Sequence, residues 1–200
     1  MSAYESGHDA LRSHTTAEEQ LFGFWVFLMS DLVLFALLFA VYATMTSATA
    51  GGPGAKQVFG LGSVAIQTGV LLASSFTIGM ATLAMTYGRS RGSLLLWLAV
   101  TLALGVLFLG LEVRDLMAMY AKGAPPTRSG FLSAFFVLVP THGLHVTAGC
   151  VWIVTMIVQV LTFGRSGDVK TRILRLSLFW HFLDVVWVGI FTFVYLQGLA

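Results

Sequence analysis

Five apolar runs divide this chain, at roughly 22–46, 61–87, 93–120, 131–162 and 174–198. A helix needs about twenty predominantly apolar residues to cross the hydrocarbon core of a bilayer, and each run supplies them. The breaks between the runs carry turn chemistry: "TAGGPGAK" (49–56), "YGRSRGS" (87–93), "KGAPPTRSG" (122–130) and "GRSGDVKTR" (164–172). Lipid offers the backbone no hydrogen-bond partner, so only helices and closed barrels cross it. The period-2 alternation of barrel strands is absent. The expected fold is all-α, an integral membrane bundle of five transmembrane helices.

Composition excludes the other classes. Hydrophobic residues make up 57 % of the chain and charged residues 10 %, against about 25 % charged in an ordinary soluble domain. The net charge of +2, with no dense basic cluster, gives nucleic acid nothing to bind. The single cysteine, Cys150, rules out an internal disulfide and covalent haem attachment through a CxxCH motif. Residues 1–21 are polar, with Glu5, Asp9, Glu18 and Glu19, and lack the basic start and short apolar core of a cleavable signal. They read as an exposed tail ahead of a membrane domain over 22–200, and His8 and His14 within them as solvated side chains.

Lysine and arginine placement sets an expected orientation. The tail and the second and fourth loops carry seven: Arg12, Arg89, Arg91, Arg165, Lys170, Arg172 and Arg175. The opposite side carries three, Lys56, Lys122 and Arg128, with Arg114 inside the third run. By the positive-inside rule the N-terminus is cytoplasmic and the C-terminus lies outside. No internal repeat is visible, which argues against a secondary transporter. Small residues along the second run (Gly69, Ala73, Ser74, Thr77, Gly79, Ala81) suit close helix packing.

The polar groups inside these runs need a reason, because charge at membrane depth normally faces a bundle interior or a partner. Asp31 lies in "FLMSDLVLF", about 15 Å along the first span at 1.5 Å per residue. Glu112 and Asp115 lie three apart in "FLGLEVRDL" and are expected to share a face, with Arg114 between them snorkelling to the headgroups. His142 and His145 sit three apart in "VPTHGLHVTAGCVW", and His181 and Asp184 three apart in "SLFWHFLDVVWV". Helices of alternating direction bring Glu112 and His142 to comparable depths, where they can meet. Two readings compete. Zinc hydrolases space histidines four apart around a glutamate, and di-iron bundles need Glu-x-x-His pairs on two helices; the spans offer neither. Haem ligation by histidines from two helices is the remaining chemical reading, and hydrogen bonding between helices is the structural one. Trp180, Trp187 and Phe191 form an aromatic stripe that suits core packing or interfacial anchoring.

These stretches resemble a known family, subunit III of the haem–copper respiratory oxidases. "GFWVFLMSDLVLF" resembles the family's first-helix motif with its buried carboxylate, and "HGLHV" and "WHFLDVVW" resemble its signatures in the last two helices. "RSGFLSAFF" and "AGGPGAK" resemble the cytochrome bo-type ubiquinol oxidase branch. The resemblance runs from about Phe22 to Gly198. It implies a five-helix subunit of the bacterial inner membrane with no haem, copper or active site of its own. Those centres belong to subunit I, where ubiquinol is oxidised, oxygen is reduced to water and protons are pumped. It further implies packing against subunit I and the other subunits, and phospholipid bound in a cleft between the first two helices and the rest. Carried over by motif, Asp31 takes the place of the first-helix carboxylate, often Glu in cytochrome c oxidases, and His142, His145, His181 and Asp184 fall on the two signatures. With Glu112, these are the candidate buried polar residues, structural or linked to proton movement. The alternatives are an accessory subunit of a cytochrome c oxidase or nitric oxide reductase, and a stand-alone membrane metalloprotein or carrier.

Overall fold

The protein is known from a computed structural model, which describes residues 3–52, 54, 60–88, 90–164 and 167–199, with the side chains of 3–18, 20, 21 and 199 set aside. Lys56, Arg89 and Arg165, and the side chains of Glu5, His8, Asp9, Arg12, His14 and Glu18, therefore lie outside the described residues. The elements are α1 (Ala3–Met45), α2 (Leu61–Thr86), α3 (Arg91–Ala121), α4 (Gly130–Phe163) and α5 (Gly167–Ile190). A π-helical turn (Phe191–Leu196) and a last turn (Gln197–Leu199) continue α5. Among the described residues there is no strand. Five helical stretches are long and apolar enough to cross a membrane: Phe22–Met45, Leu61–Thr86, Arg91–Ala121, Gly130–Phe163 and Gly167–Leu196.

Two helices reach beyond the apolar runs. The polar segment before Phe22 is helical from Ala3 onward, while the apolar span of that helix begins at Phe22, where the sequence reading placed it. The fifth helix starts at Gly167 rather than near 174. Its first turns hold Asp168, Lys170 and Arg172, which end an apolar run without ending a helix. Asp168 suits the positive N-terminal end of the helix dipole, and Arg172 donates to the Gln159 side chain on α4 at 2.9 Å.

The other ends have conventional chemistry. Ser90 caps α3 by accepting from the Ser93 N–H at 3.3 Å, and Ser129 caps α4 by accepting from Leu132 at 3.2 Å, as N-cap serines do. Pro140 sits inside α4, where its missing N–H leaves the carbonyl four residues back without its usual donor.

The chain forms two compact units, residues 1–34 and 35–200. The first contains the start of α1. In the second, α2 packs on α3 and α5, and α4 packs on the same two helices. The last part of α1 joins this group through aromatic contacts, Tyr42 with Phe131 at 5.9 Å and Phe39 with Phe193 at 6.1 Å between ring centres. Neighbouring helices run antiparallel. At one end the Ala48 carbonyl accepts from the Phe131 N–H at 3.2 Å, tying the loop after α1 to the start of α4.

Trp180 of α5 sits where α2, α3 and α4 converge and is 1 % exposed. Two glycines make its seat. A methyl added at Gly105 on α3 would come within 2.8 Å of the indole and 3.0 Å of the Cys150 sulfur; one at Gly149 on α4 would come within 2.9 Å of the indole. The indole N–H donates to Ser74 Oγ on α2 at 2.9 Å. One side chain thus contacts three other helices. The small residues of α2 divide: Ser74, Thr77 and Ala81 are buried as expected, whereas Gly69 and Ala73 face outward.

Gly105→Ala and Gly149→Ala should each destabilise the chain by about 1–3 kcal/mol, the usual penalty for overpacking a filled core. The midpoint of thermal unfolding in detergent would report it. Gly69→Ala, whose added methyl meets nothing within 4 Å, should leave that midpoint unchanged.

Candidate functional site

The polar side chains of the spans form separate small groups, each at a helix–helix seam. Between α2 and α5, three hydroxyl contacts follow one another. Trp187 donates its indole N–H to Thr68 Oγ1 at 3.0 Å, Trp180 to Ser74 Oγ, and Ser75 Oγ lies 2.8 Å from His181 Nδ1. Thr68 and Ser74 meanwhile donate their own protons to carbonyls of α2, Val64 at 2.9 Å and Leu71 at 2.6 Å. Each of these two hydroxyls is therefore used as donor and as acceptor, which a dry interior favours.

Asp184 lies below His181, with Oδ2 3.8 Å from Nδ1. Ser75, His181 and Asp184 have the residue types of a nucleophilic triad, yet both partners approach the same ring nitrogen. A triad needs them on opposite nitrogens, so this is a clamp on the imidazole. Both Asp184 oxygens are buried without a hydrogen bond.

On α4 the two histidines diverge. His142 is fully buried, and its Nε2–H donates across the seam to the Leu183 carbonyl of α5 at 3.2 Å. Phe108 and Trp187 enclose its ring at 5.8 and 5.2 Å. His145 donates Nδ1–H to the Thr141 carbonyl of its own helix at 2.7 Å and faces the Phe35 ring at 5.1 Å. A pair three apart in sequence thus serves two different neighbours.

The acidic pair of α3 also separates, against the expectation of a shared face. Asp115 turns to α2, where Ser63 and Gln67 donate to Oδ2 at 2.5 and 2.7 Å. Arg114 folds back on the same group, donating to Asp115 Oδ1 at 3.0 Å and to Ser63 Oγ at 2.8 Å. Its side chain stays 62 % exposed while it makes these bonds. Glu112 turns to α4 and is 4 % exposed. Its oxygens lie 2.7 and 2.8 Å from where a side-chain carbon on Gly143 would stand, and neither has a hydrogen-bond partner. Glu112 therefore meets α4 at Gly143, the residue next to His142, and not through a hydrogen bond to the imidazole itself. Asp31 belongs to the unit formed by residues 1–34, where it is half-buried.

Among the described residues no three of His, Cys, Asp and Glu gather at metal-binding distance. The sequence reading missed Ser63, Gln67, Ser75 and Gly143. A serine or glutamine level with a charged residue on the neighbouring helix was the available signal for the first three. Gly143 had none, since its role is to leave room.

Comparison with known proteins places this arrangement. The family model described as cytochrome c oxidase subunit III matches residues 3–199. The chain belongs to that family. A relative from Pseudomonas aeruginosa, named cytochrome bo(3) ubiquinol oxidase subunit 3, is 47 % identical over 196 residues, which is 98 % of this chain and 93 % of the relative. One of the same name from Pseudomonas putida is 49 % identical over 93 % of this chain and 89 % of its own length. A Bacillus subtilis protein named quinol oxidase subunit 3 is 42 % identical over 92 % of this chain and 90 % of its own length. In this family member, then, the stretches "HGLHV" and "WHFLDVVW" lie on α4 and α5. Their polar residues make a seam bond at His142, a bond within the helix at His145 and a clamped imidazole at His181.

Gly143→Ala drives a methyl into the Glu112 carboxyl group and should lower stability by about 1–3 kcal/mol. In a Glu112→Ala background that penalty should largely disappear. A double-mutant cycle on thermal midpoints should give a coupling of about 1 kcal/mol or more, as residues in contact do; additive effects would show that the two do not meet.

Proposed function

We propose that this chain is subunit III of a proton-pumping haem–copper ubiquinol oxidase. It holds no redox centre and packs against the subunit that does. The observation that carries this reading is end-to-end similarity to relatives named as subunit 3 of quinol oxidases. The geometry agrees in kind. Of the four signature residues, His142 is committed to a backbone carbonyl, His145 to its own helix and His181 to a serine. An interhelical hydrogen bond in a membrane contributes only about 0.6 kcal/mol on average, so single losses should loosen the subunit without stopping turnover.

Haems and copper belong to subunit I in this reading, and ubiquinol is the substrate of the complex. The location is the bacterial inner membrane. Phospholipid is a further ligand, and an apolar groove of about 450 Å³ suits an acyl chain. It runs between the last part of α1 and the end of α5, lined by Ala36, Phe39, Ala40, Ala43, Gly189 and Phe193. The N-terminus is cytoplasmic and the C-terminus periplasmic, on the seven-to-three bias of Lys and Arg.

Gentle-detergent purification through a tag on this chain should bring down haem-containing polypeptides. The isolated chain, by contrast, should show no haem spectrum and no stoichiometric iron, copper or zinc by elemental analysis. One equivalent of metal that both His145→Ala and His181→Ala remove would reverse this reading. In membranes, His145→Ala and Asp184→Asn should keep the initial rate of quinol oxidation within a few-fold of the parent. A hundredfold fall in an assembled complex, about 2.7 kcal/mol of barrier, would place the residue in the chemistry.

Topology has its own check. A reporter active only in the periplasm should work when fused after Ala200 and fail in the 164–172 loop, and the reverse pattern would invert the orientation.

A further inference from the structure

The His181 imidazole is buried on one side only. Its Nδ1 edge faces the Ser75 hydroxyl at 2.8 Å and the Asp184 carboxyl at 3.8 Å, while the side chain remains 45 % exposed. The residue lies inside the fifth apolar run. It stands seven residues beyond Leu174, where that run begins after Lys170 and Arg172, which is about 10 Å along a helix at 1.5 Å per residue. The exposed edge therefore opens toward the apolar layer, not toward water. Nε2 makes no hydrogen bond among the described residues. A polar atom in hydrocarbon without a partner is costly and in membrane proteins normally meets a protein group or a water-filled cavity.

The surroundings narrow the occupant. Along α5, Val185 and Val188 are exposed at i+4 and i+7 from His181; on the neighbouring helix Leu72 and Phe76 flank Ser75 and are also exposed. The face is thus an apolar strip with one polar spot inside the span. Which ring nitrogen carries the proton is set by what the other one meets. The carboxyl group beside Nδ1 favours N–H there, which leaves the Nε2 lone pair pointing outward. The complementary surface is a second transmembrane helix, apolar along its length, with one hydrogen-bond donor at this depth: a hydroxyl, amide or indole N–H.

We propose that the α2–α5 edge centred on His181 is the surface by which this chain docks on the haem-bearing subunit, with Nε2 accepting a hydrogen bond from a helix of that subunit. The proposal rests on the reading of the chain as an oxidase subunit and adds the face and the atom that make the contact. Ser75 and Asp184 act as positioning residues, holding the ring so that its free edge points out of the bundle.

The test uses the assembled oxidase. A photoreactive benzophenone amino acid is placed at Val185, on the proposed face, or at Leu144 on α4, the two being 68 % and 69 % exposed in this chain. Illumination in membranes should join the chain to the haem-bearing subunit from position 185 and give no such product from position 144. His181→Phe should lower retention of the chain on the complex by about threefold in mild detergent, the share of one average interhelical hydrogen bond in a membrane. His181→Gln, which keeps an acceptor, should restore most of it. Thermal unfolding of the isolated variants checks that the bundle itself is intact. Lipid adducts alone from position 185, in complexes that contain both this chain and haem, would overturn the proposal and leave the parent reading standing. Equal retention of His181→Phe and parent would also overturn it. Failure of the chain to purify with any haem protein would overturn the parent reading, and the proposal with it.

Discussion

In a bilayer the solvent supplies no hydrogen bonds and little drive for one helix to seek another, so association falls to close packing and to polar groups that find each other. The Trp180 indole combines both. Its ring is wide enough to touch α3 and α4 at once only because Gly105 and Gly149 leave the space, and its N–H closes a bond to Ser74 on α2. The remaining contacts are arranged around that wedge. Trp187 repeats the bond to a hydroxyl seven residues further along α5, at Thr68, and the His142 ring lies against Trp187 at 5.2 Å. The polar seam thus follows from where a large aromatic ring is able to sit.

The carboxyl groups show how differently the same chemistry is used at different seams. Asp115 is held by Ser63, Gln67 and Arg114 near the end of the bundle that carries Arg128. Such a fully partnered group belongs to the structure. Glu112, one turn away, has a glycine for a neighbour and no donor. Asp184 stands between these extremes, with one imidazole close by and beyond hydrogen-bond distance. Inside the bundle, space rather than charge decides which of these groups are tied down.

The five spans were legible in the sequence because hydrophobic length is a one-dimensional property. The candidate polar residues stood out in the sequence because a charge in an apolar run is conspicuous. Their burial was not legible: Glu112, His142 and Asp184 are buried, whereas Asp31 and His145 are half-buried and His181 is exposed. Nor were their partners, for a geometric reason. Residues three apart differ by about 60° around a helix, which suffices to send Glu112 to α4 and Asp115 to α2, or His142 to α5 and His145 back to its own turn. Helix ends were missed where polarity and helicity part company, at Ala3 and Gly167. Gly143, Gly105 and Gly149 carry no side chain to signal anything, and their importance follows only from the bulk of Glu112 and Trp180 opposite them.

The seam between α2 and α5 also has a consequence in time. Its three bonds join residues 106 to 119 positions apart, so none can form until the final span has left the ribosome and entered the membrane. Until then the α2 hydroxyls wait in lipid, and Thr68 and Ser74 can do so because each already donates to a carbonyl of its own helix. The early helices are in this way tolerable alone yet unfinished, and the last one to be made acts as a latch. A chain that stalls before α5 would leave a loose set of inserted helices for membrane quality control to clear.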